Sequence, residues 1–574
     1  MVKNGKTILS GIDPAGRAEK TVDALSIKDR TLYFCPSPLY GYGLARLLSR
    51  LEKEAPASAL LCVEADPELY DLSVSDIDSL ILNNKKLHMT NIRNAEEICA
   101  VVRNIWGARI FRRIETVRLN GGWQLFAGLY DSICEQLRRE IALQWSNVLT
   151  LNKLGRLYIR NVLRNLPLVN RFKSIACLSF GSSPVLVLGA GPSLDETLDW
   201  IEQRAADSAE RRFKIVCVDT CLGALKDRGI VPDLAVILES QHWNLRDFIG
   251  CKGWEVKTAI DLSSLPSSAH LLKGETFLFM TPWTDLHVFE RLKNAGLLPA
   301  LIPPLGSVGL SAVELARRLT GGKIVVSGLD FSFSADKYHV RCAPGHRSKL
   351  NTQNRFRRIL NTAAYDSYSA SASSKSGETV YTSPSMKNYR SLFEQEFSGD
   401  ARIFDIEGSG LPLGLKTLSK KDAIDLLNEE EFSSEPTRTG GSLANQRCDN
   451  ELSLFQNSVS FGKDFRKTVL KDSFSFKSNV AFPKAEVLEK PQLTLFYFSE
   501  KKRLIELRDI LTGEEPANKE RLLGLLDECD YVWGHFPDYS GGRGPDAADI
   551  SFLKRVRAEL DPMLKLMDRA LKEI

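Results

Sequence analysis

Apolar and polar positions alternate along this chain in blocks that predict strands and helices in turn. Val185 to Leu188 is a short, wholly apolar run. The glycine-rich turn Gly189-Ala190-Gly191-Pro192-Ser193 follows it at once, and Leu194 to Ile201 then has helical periodicity. That order predicts buried strand, tight turn, helix. Ile215 to Val218, ending in Asp219, with a helix over Leu222 to Arg228, repeats the theme, and Leu234 to Leu238 ends in Glu239. Val256 to Ile260, Thr276 to Met280 and Lys323 to Ser327 are further strands, with helices over Ser267 to Leu272 and Ser311 to Leu319. Strands alternating with helices imply a parallel sheet whose ligands gather at the carboxyl ends of its strands.

The flanking regions carry different patterns. Thr31 to Phe34, the turn Pro36 to Gly43, a helix from Leu44 to Lys53 and a strand Ala59 to Val63 ending in Glu64 make a second nucleotide-binding-like half near the amino terminus. Pro36 and Pro38 crowd its turn, so it reads as a structural Rossmann-like domain without a working cofactor. Arg109 to Ile114 is either an edge strand or a surface helix. Asp131 to Leu166 has helical spacing throughout and stops at Pro167. Arg156, Arg160 and Arg164 share one face of that helix, as a solvated face or as a basic rim for an anionic ligand. Ala364 to Glu378 reads as a loop over the site. Ser433 to Asn450 is a polar linker. Beyond it the pattern is mainly helical, with a strand expected at Leu493 to Phe498.

The expected architecture is therefore α/β. A Rossmann-like amino-terminal domain spans 1–130. Bridging helices and a central Rossmann core span 131–430. A linker covers 431–450, and a mainly helical domain covers 451–574.

Composition narrows the picture modestly. The 574 residues are 43% hydrophobic and 26% charged, as in ordinary globular proteins. The net charge of +4, from 76 basic and 72 acidic residues, is too mild to argue for nucleic acid. No apolar run is long enough for a membrane span, and Met1 to Ile12 lacks the apolar stretch of a signal peptide. Eleven scattered cysteines without a Cys-x-x-Cys pair fit a reducing cytoplasm and no zinc site.

Candidate chemistry sits at the strand ends. Gly189 and Gly191 let the backbone approach a ligand, and the helix after them offers free N–H groups to an anion. Ser193 either caps that helix or donates to a phosphate oxygen. Pro192 presets the turn. Leu194 stands where a dinucleotide fingerprint would place its third glycine, so the pair of glycines is either a phosphate cradle or simply a tight turn. Asp219 and Glu239 end their strands, where a ribose or a base would lie. Gln241 and His242 follow Glu239, and His242 either meets a ligand or caps a helix. Trp283 stacks on a base or sugar, or belongs to the core. Gly306 and Ser307 open another helix toward the same crevice. Asp330 ends the strand after it. His339 and His346 lie in an irregular basic segment with Lys337, Arg341 and Arg347. They are surface histidines or acceptors for a hydroxyl proton near neutral pH.

The strings "VLGAGPSLDETLDWI" and "VCVDTCLGALKDRGIVPDLAVILES", with Gly306-Ser307-Val308 and "IVVSGLDFSF" further on, resemble the motility-accessory-factor (Maf) flagellin glycosyltransferases and their relatives, the archaeal 6-hydroxymethylpterin diphosphokinases. The resemblance covers roughly 150–420. It implies transfer of a nonulosonic acid of the pseudaminic or legionaminic type from its CMP-activated donor to Ser or Thr of flagellin, with a role in motility. On that reading Gly189, Gly191, Pro192, Ser193 and Leu194 form the donor-phosphate turn, with Gly306 and Ser307 facing it. Asp219, Glu239 and Gln241 hold the donor, Asp330 and His339 activate the acceptor, and His346 contacts substrate. The resemblance fixes no cofactor and leaves magnesium possible. Magnesium enters with the first alternative, a diphosphokinase using ATP, whose core is far shorter than this chain. The second alternative is a non-catalytic assembly factor that binds flagellin.

Overall fold

The computed structural model describes residues 1–106, 110–205, 211–284, 286–361, 369–428, 490–516, 518–536 and 545–574. The expected linker 431–450, and the start of the expected loop at Ala364, lie outside the described residues. The chain is α/β and forms two compact units, with the boundary after Leu154.

The first unit, Met1–Leu154, begins with a two-stranded antiparallel ribbon, β1 (Val2–Lys3) and β2 (Lys6–Thr7). Its sheet consists of β3 (Thr31–Pro36), β4 (Ala59–Val63), β5 (Leu87–Thr90) and β6 (Arg113–Thr116). All are parallel, in the order β5-β4-β3-β6. Every residue of β3 and β4 is buried, as continuous apolar runs require when helices cover both faces. Of Arg109 to Ile114, only Arg113 and Ile114 fall in a strand, β6, which closes one end of this sheet, and Arg109 lies outside the described residues. Glu64, the acid at the end of β4, is engaged by the protein itself. It accepts from the Ser37 hydroxyl at 2.7 Å and from the Asp66 N–H at 3.2 Å, and burial raises its pKa.

The second unit carries a ten-stranded sheet. Its strands are β7 (Lys173–Ser174), β8 (Val185–Leu188), β9 (Lys214–Val218), β10 (Leu234–Ile237), β11 (Thr258–Asp261), β12 (Thr276–Met280), β13 (Ala300–Leu301) and β14 (Ile324–Ser327). After a separate hairpin of β15 (Ala370–Ser373) and β16 (Thr379–Thr382) come β17 (Ile403–Ile406) and β18 (Lys416–Leu418). The order β13-β12-β11-β10-β9-β8-β14-β17-β18 is parallel throughout, with β7 paired to β12. The chain steps outward from β8 to β13, then returns to lay β14 on the other side of β8. The switch point of this doubly wound sheet therefore lies between β8 and β14.

The predicted bridging helix is present as Ala127–Asn165. Its early turns bury Ile133, Leu137 and Ile141 in the core of the first unit. Its last turns bury Ile159, Val162 and Leu163 in that of the second.

Two local expectations are corrected. Leu493 to Phe498 is not a strand but part of a helix, Lys490–Thr512. Leu493, Phe496, Tyr497, Leu504 and Leu507 are buried at helical spacing, while Leu495 and Phe498 are exposed, so packing of one face overrides the β-propensity of the aromatic run. The described part of Ala364 to Glu378 is largely hairpin rather than loop, and its turn sends Lys375 to the Asp405 carboxylate at 2.8 and 2.9 Å. The carboxyl-terminal helices, which include Lys519–Glu528 and Pro545–Glu573, pack within the second unit. Arg291 holds the buried carboxylate of Glu500 through Nε at 2.6 Å and Nη2 at 2.8 Å.

Candidate functional site

At the switch point, the turns after β8 and β14 are bonded to each other. The Gly189 N–H donates to the Ser327 carbonyl and the Gly191 N–H to that of Gly328, each at 2.8 Å. A Cβ on residue 189 would collide with the Gly328 carbonyl, and one on residue 191 with the Asp330 carboxylate. Both glycines are thus required by the close approach of two turns within the protein. Leu194, at the third-glycine position, is fully buried in the core. Ser193 gives its N–H to Asp330 Oδ2 at 2.8 Å and its hydroxyl to Oδ1 at 2.5 Å. Asp330 is buried, and burial raises its pKa. The structure brings together Gly189, Gly191, Pro192, Ser193, Leu194 and Asp330, with Asp330 as the brace of the turn.

A strap from Lys337 to His346 lies across this turn. The Val340 N–H donates to the Ala190 carbonyl at 3.0 Å. Asp195, in the first turn of the helix Leu194–Ala205, accepts from Lys337 Nζ at 2.9 Å and from the Arg341 N–H at 3.1 Å. Burial lowers the pKa of both His339 and His346, and a hydrogen bond with the Ala190 carbonyl opposes the shift at His339. Both imidazoles are neutral at pH 7 and able to accept a proton. His346 Nδ1 is buried with no hydrogen-bond partner among the described residues.

The second cluster lies over the ends of β9 to β12. Asp219 is buried and accepts from the Thr220 N–H at 2.8 Å and from Asn244 Nδ2 at 3.0 Å. Burial, and then the nearby Asp247, push its pKa to about 8. Burial, assisted by Glu239, pushes Asp247 to about 6. Glu239 itself is exposed and accepts from the Gln241 N–H at 2.9 Å. Its charge raises the pKa of Asp219, Asp247, Tyr158 and Tyr389. Trp283 packs on Tyr158 with ring centres 5.1 Å apart and is attached to the core. Trp243 is 55% exposed, lies against His242 with the two rings tilted by 37°, and has the Arg246 guanidinium over its ring.

Beneath this mouth the sheet is braced from below. Asp261 accepts from the N–H groups of Ser263 and Thr281 at 2.6 and 2.7 Å. The bridging helix contributes Asn161, whose Nδ2 donates to the carbonyls of Ser240 and Ser263, and Asn165, which donates to those of Leu262 and Ser264. The hydroxyls of Ser240, Ser264 and Thr281 and the Asn244 carbonyl oxygen are buried without a partner among the described residues. Buried polar groups of this kind are normally satisfied. Gly306, with a φ of 70°, lies against Tyr389, and Ser307 caps the helix Val308–Leu319 through the Gly309 N–H.

Of the arginine trio, Arg156 pairs with Glu559, while Arg160 and Arg164 have no charged partner among the described residues. Tyr158, Asn161, Asn165, Asn244, Asp247 and Tyr389 escaped the sequence reading. A signal existed for two of them, since Asn161 and Asn165 interrupt the apolar stripe of the bridging helix four residues apart. Among the described residues, no group of three or more His, Cys, Asp or Glu converges closely enough to hold a metal ion.

This core has known counterparts. Residues 159–336 match the family model described as 6-hydroxymethylpterin diphosphokinase MptE-like. The expected likeness to those proteins therefore stands over β8 to β14 and the turns between them. An uncharacterized protein of Treponema pallidum (strain Nichols) is 29% identical over 559 residues, covering 96% of this chain and 90% of the relative. Among solved structures, the MAf glycosyltransferase from Magnetospirillum magneticum AMB-1 aligns with 99% of this chain and 84% of its own, at 15% identity and a TM-score of 0.47.

Proposed function

We propose that the chain is a group-transfer enzyme that takes a nucleotide-activated donor over the carboxyl ends of β9 to β12. The observation that carries this is an exposed carboxylate, Glu239, at the end of β10, followed four positions on by an exposed aromatic, Trp243. A carboxylate accepts from ribose or sugar hydroxyls, and an indole stacks on a base. The donor is a CMP-activated nonulosonic acid and the acceptor a Ser or Thr of flagellin, a choice that rests on the Gly-x-Gly-Pro-Ser-Leu string.

On this reading the acceptor oxygen bonds to the anomeric carbon as the bond from that carbon to the phosphate oxygen breaks. The electron pair leaves with CMP. His339 or His346, both neutral, takes the acceptor's proton. Lys337, Arg341 and the helix start at Leu194 offset the growing negative charge on the phosphate. Asp330 acts through Ser193 as a positioning residue. No step runs through a metal ion. The amino-terminal unit and the carboxyl-terminal helices serve the protein acceptor, and the cytoplasm is the compartment.

The match of 159–336 favours one other reading, transfer of pyrophosphate from ATP with a divalent metal. Calorimetric titration with CMP, with ATP, and with each plus magnesium separates the two. Glu239→Gln is the informative variant, because the residue is exposed and the change is isosteric. Gly191→Asp is a poor one, since its side chain would strike Asp330. CMP binding weakened on the order of tenfold by Glu239→Gln, the loss of one charge-assisted hydrogen bond, supports the glycosyl reading. ATP binding that requires magnesium supports the kinase. Binding of neither nucleotide rejects both and leaves a flagellin-binding scaffold.

A further inference from the structure

From Lys337 to Asn361 the chain has seven Lys or Arg and no Asp or Glu. The inner members of this run are engaged: Lys337 with Asp195, Arg347 with Asp227, and Lys349 over the Tyr338 ring. The outer three, Arg355, Arg357 and Arg358, are exposed and pair with no carboxylate among the described residues. They surround Phe356, which is 82% exposed, and Leu360, which is 64% exposed.

The local geometry sets how these side chains are displayed. Asn354 Oδ1 accepts from the N–H groups of Phe356 and Arg357 at 2.9 and 3.0 Å, and the Asn354 and Arg357 backbones bond to each other. This closes a tight turn with Phe356 at its tip, while Ile359 stays half-buried. Burying Phe356 beside Ile359 would remove apolar surface from water, yet the turn holds the ring outside.

We propose that this tip, Arg355 to Leu360, is a membrane-surface contact that recognises anionic lipid headgroups. The arginines meet the negative leaflet, and Phe356 and Leu360 enter the boundary between headgroups and acyl chains. A protruding ring flanked by cations suits a fluid interface. A protein partner would have to supply a pocket to receive it, and a nucleic acid would leave Leu360 in water. Three cations and two apolar side chains make a weak, reversible and salt-sensitive contact, not an anchor.

This inference is independent of the group-transfer reading, since its test needs no nucleotide. The full-length protein is sedimented with vesicles of phosphatidylcholine alone and of phosphatidylcholine with one-third phosphatidylglycerol, at low and raised salt. The expected result is partition to the anionic vesicles only, diminished by salt. The double variant Arg357→Glu/Arg358→Glu should lower partition on the order of tenfold or more. Phe356→Ser should lower it with the salt dependence retained. Thermal melting and nucleotide titration of the variants, unchanged from the parent, show that the fold is intact. Equal partition to both vesicle types, no partition by the parent protein, or variants that partition like the parent would each overturn the proposal. A parent protein that ignores vesicles but is retained by an acidic protein or by RNA has a different occupant at this tip.

Discussion

Ser193 donates both its backbone N–H and its hydroxyl to one carboxylate, that of Asp330, across the seam between β8 and β14. A residue placed by sequence at a strand end, where it looks ready for chemistry, is occupied in holding the neighbouring turn. Asp330→Ala leaves the Ser193 donors buried without an acceptor. It should cost about 1.5–3 kcal/mol, the range for hydrogen bonds to a charged group. Ser193→Ala should cost less, because the backbone donor remains. Denaturant unfolding of both variants and of the double variant measures the coupling, and additive losses would refute it.

The glycines of this turn should separate from other glycines of the chain. Gly191→Ala forces a methyl onto the Asp330 carboxylate, and overpacking of that kind costs about 1–3 kcal/mol. Gly181 has a φ of 61° but open space around it, so Gly181→Ala should cost about 1 kcal/mol from backbone strain alone. Comparable losses at the two positions would show that the close approach is not a constraint.

Asp219 predicts a pH dependence. Its pKa is raised from 3.8 to about 8 in the folded protein. The folded state therefore holds a proton that the unfolded chain has released, and stability falls as pH rises between those two values, levelling off above the higher one. Asp247 acts in the same direction over a narrower window, up to about 6. Melting temperatures from about pH 5 to about pH 8.5 should fall in the parent protein and fall less in Asp219→Asn. Parallel profiles would reject the assignment.

The carboxyl-terminal helices are tied to the core by a buried charge. Glu500 is fully buried, and Arg291 supplies two of its hydrogen bonds. Arg291→Met removes them and leaves the carboxylate with Arg503 at 3.1 Å. The expected loss is about 3 kcal/mol, at the lower end for breaking a buried pair. Glu500→Leu, which removes the charge along with its need for a partner, should rescue much of the loss in the Arg291→Met background. Thermal unfolding of the three variants decides this.

The parts legible in the sequence were those written in local periodicity. Val185 to Leu188 could be read as a buried strand because every position is apolar, and the bridging helix because its apolar spacing persists over ten turns. Leu493 to Phe498 misled because aromatic and leucine residues favour strands until a tertiary surface selects one helical face. The first strand of the hairpin, β15, was hidden in serines and alanines, which carry no periodic signal. The site was legible as a set of strand ends but not as a division of labour. Nothing local to Asp330 reveals that its partner is 137 positions away, whereas Glu239, in the same kind of position, has its side chain in solvent.

The bond between residues 193 and 330 also has a historical side. Neither position can drift by itself: a new side chain at 330 strands a hydroxyl, and a larger one at 193 displaces an acid. Gly191 and Gly410, whose missing Cβ atoms make room for that acid, are party to the same agreement. Substitutions among these four should therefore be inherited as a group. The mouth over β9 to β12 carries no such obligation, so descendants of this chain can exchange one ligand for another there while the centre of the sheet keeps its wording.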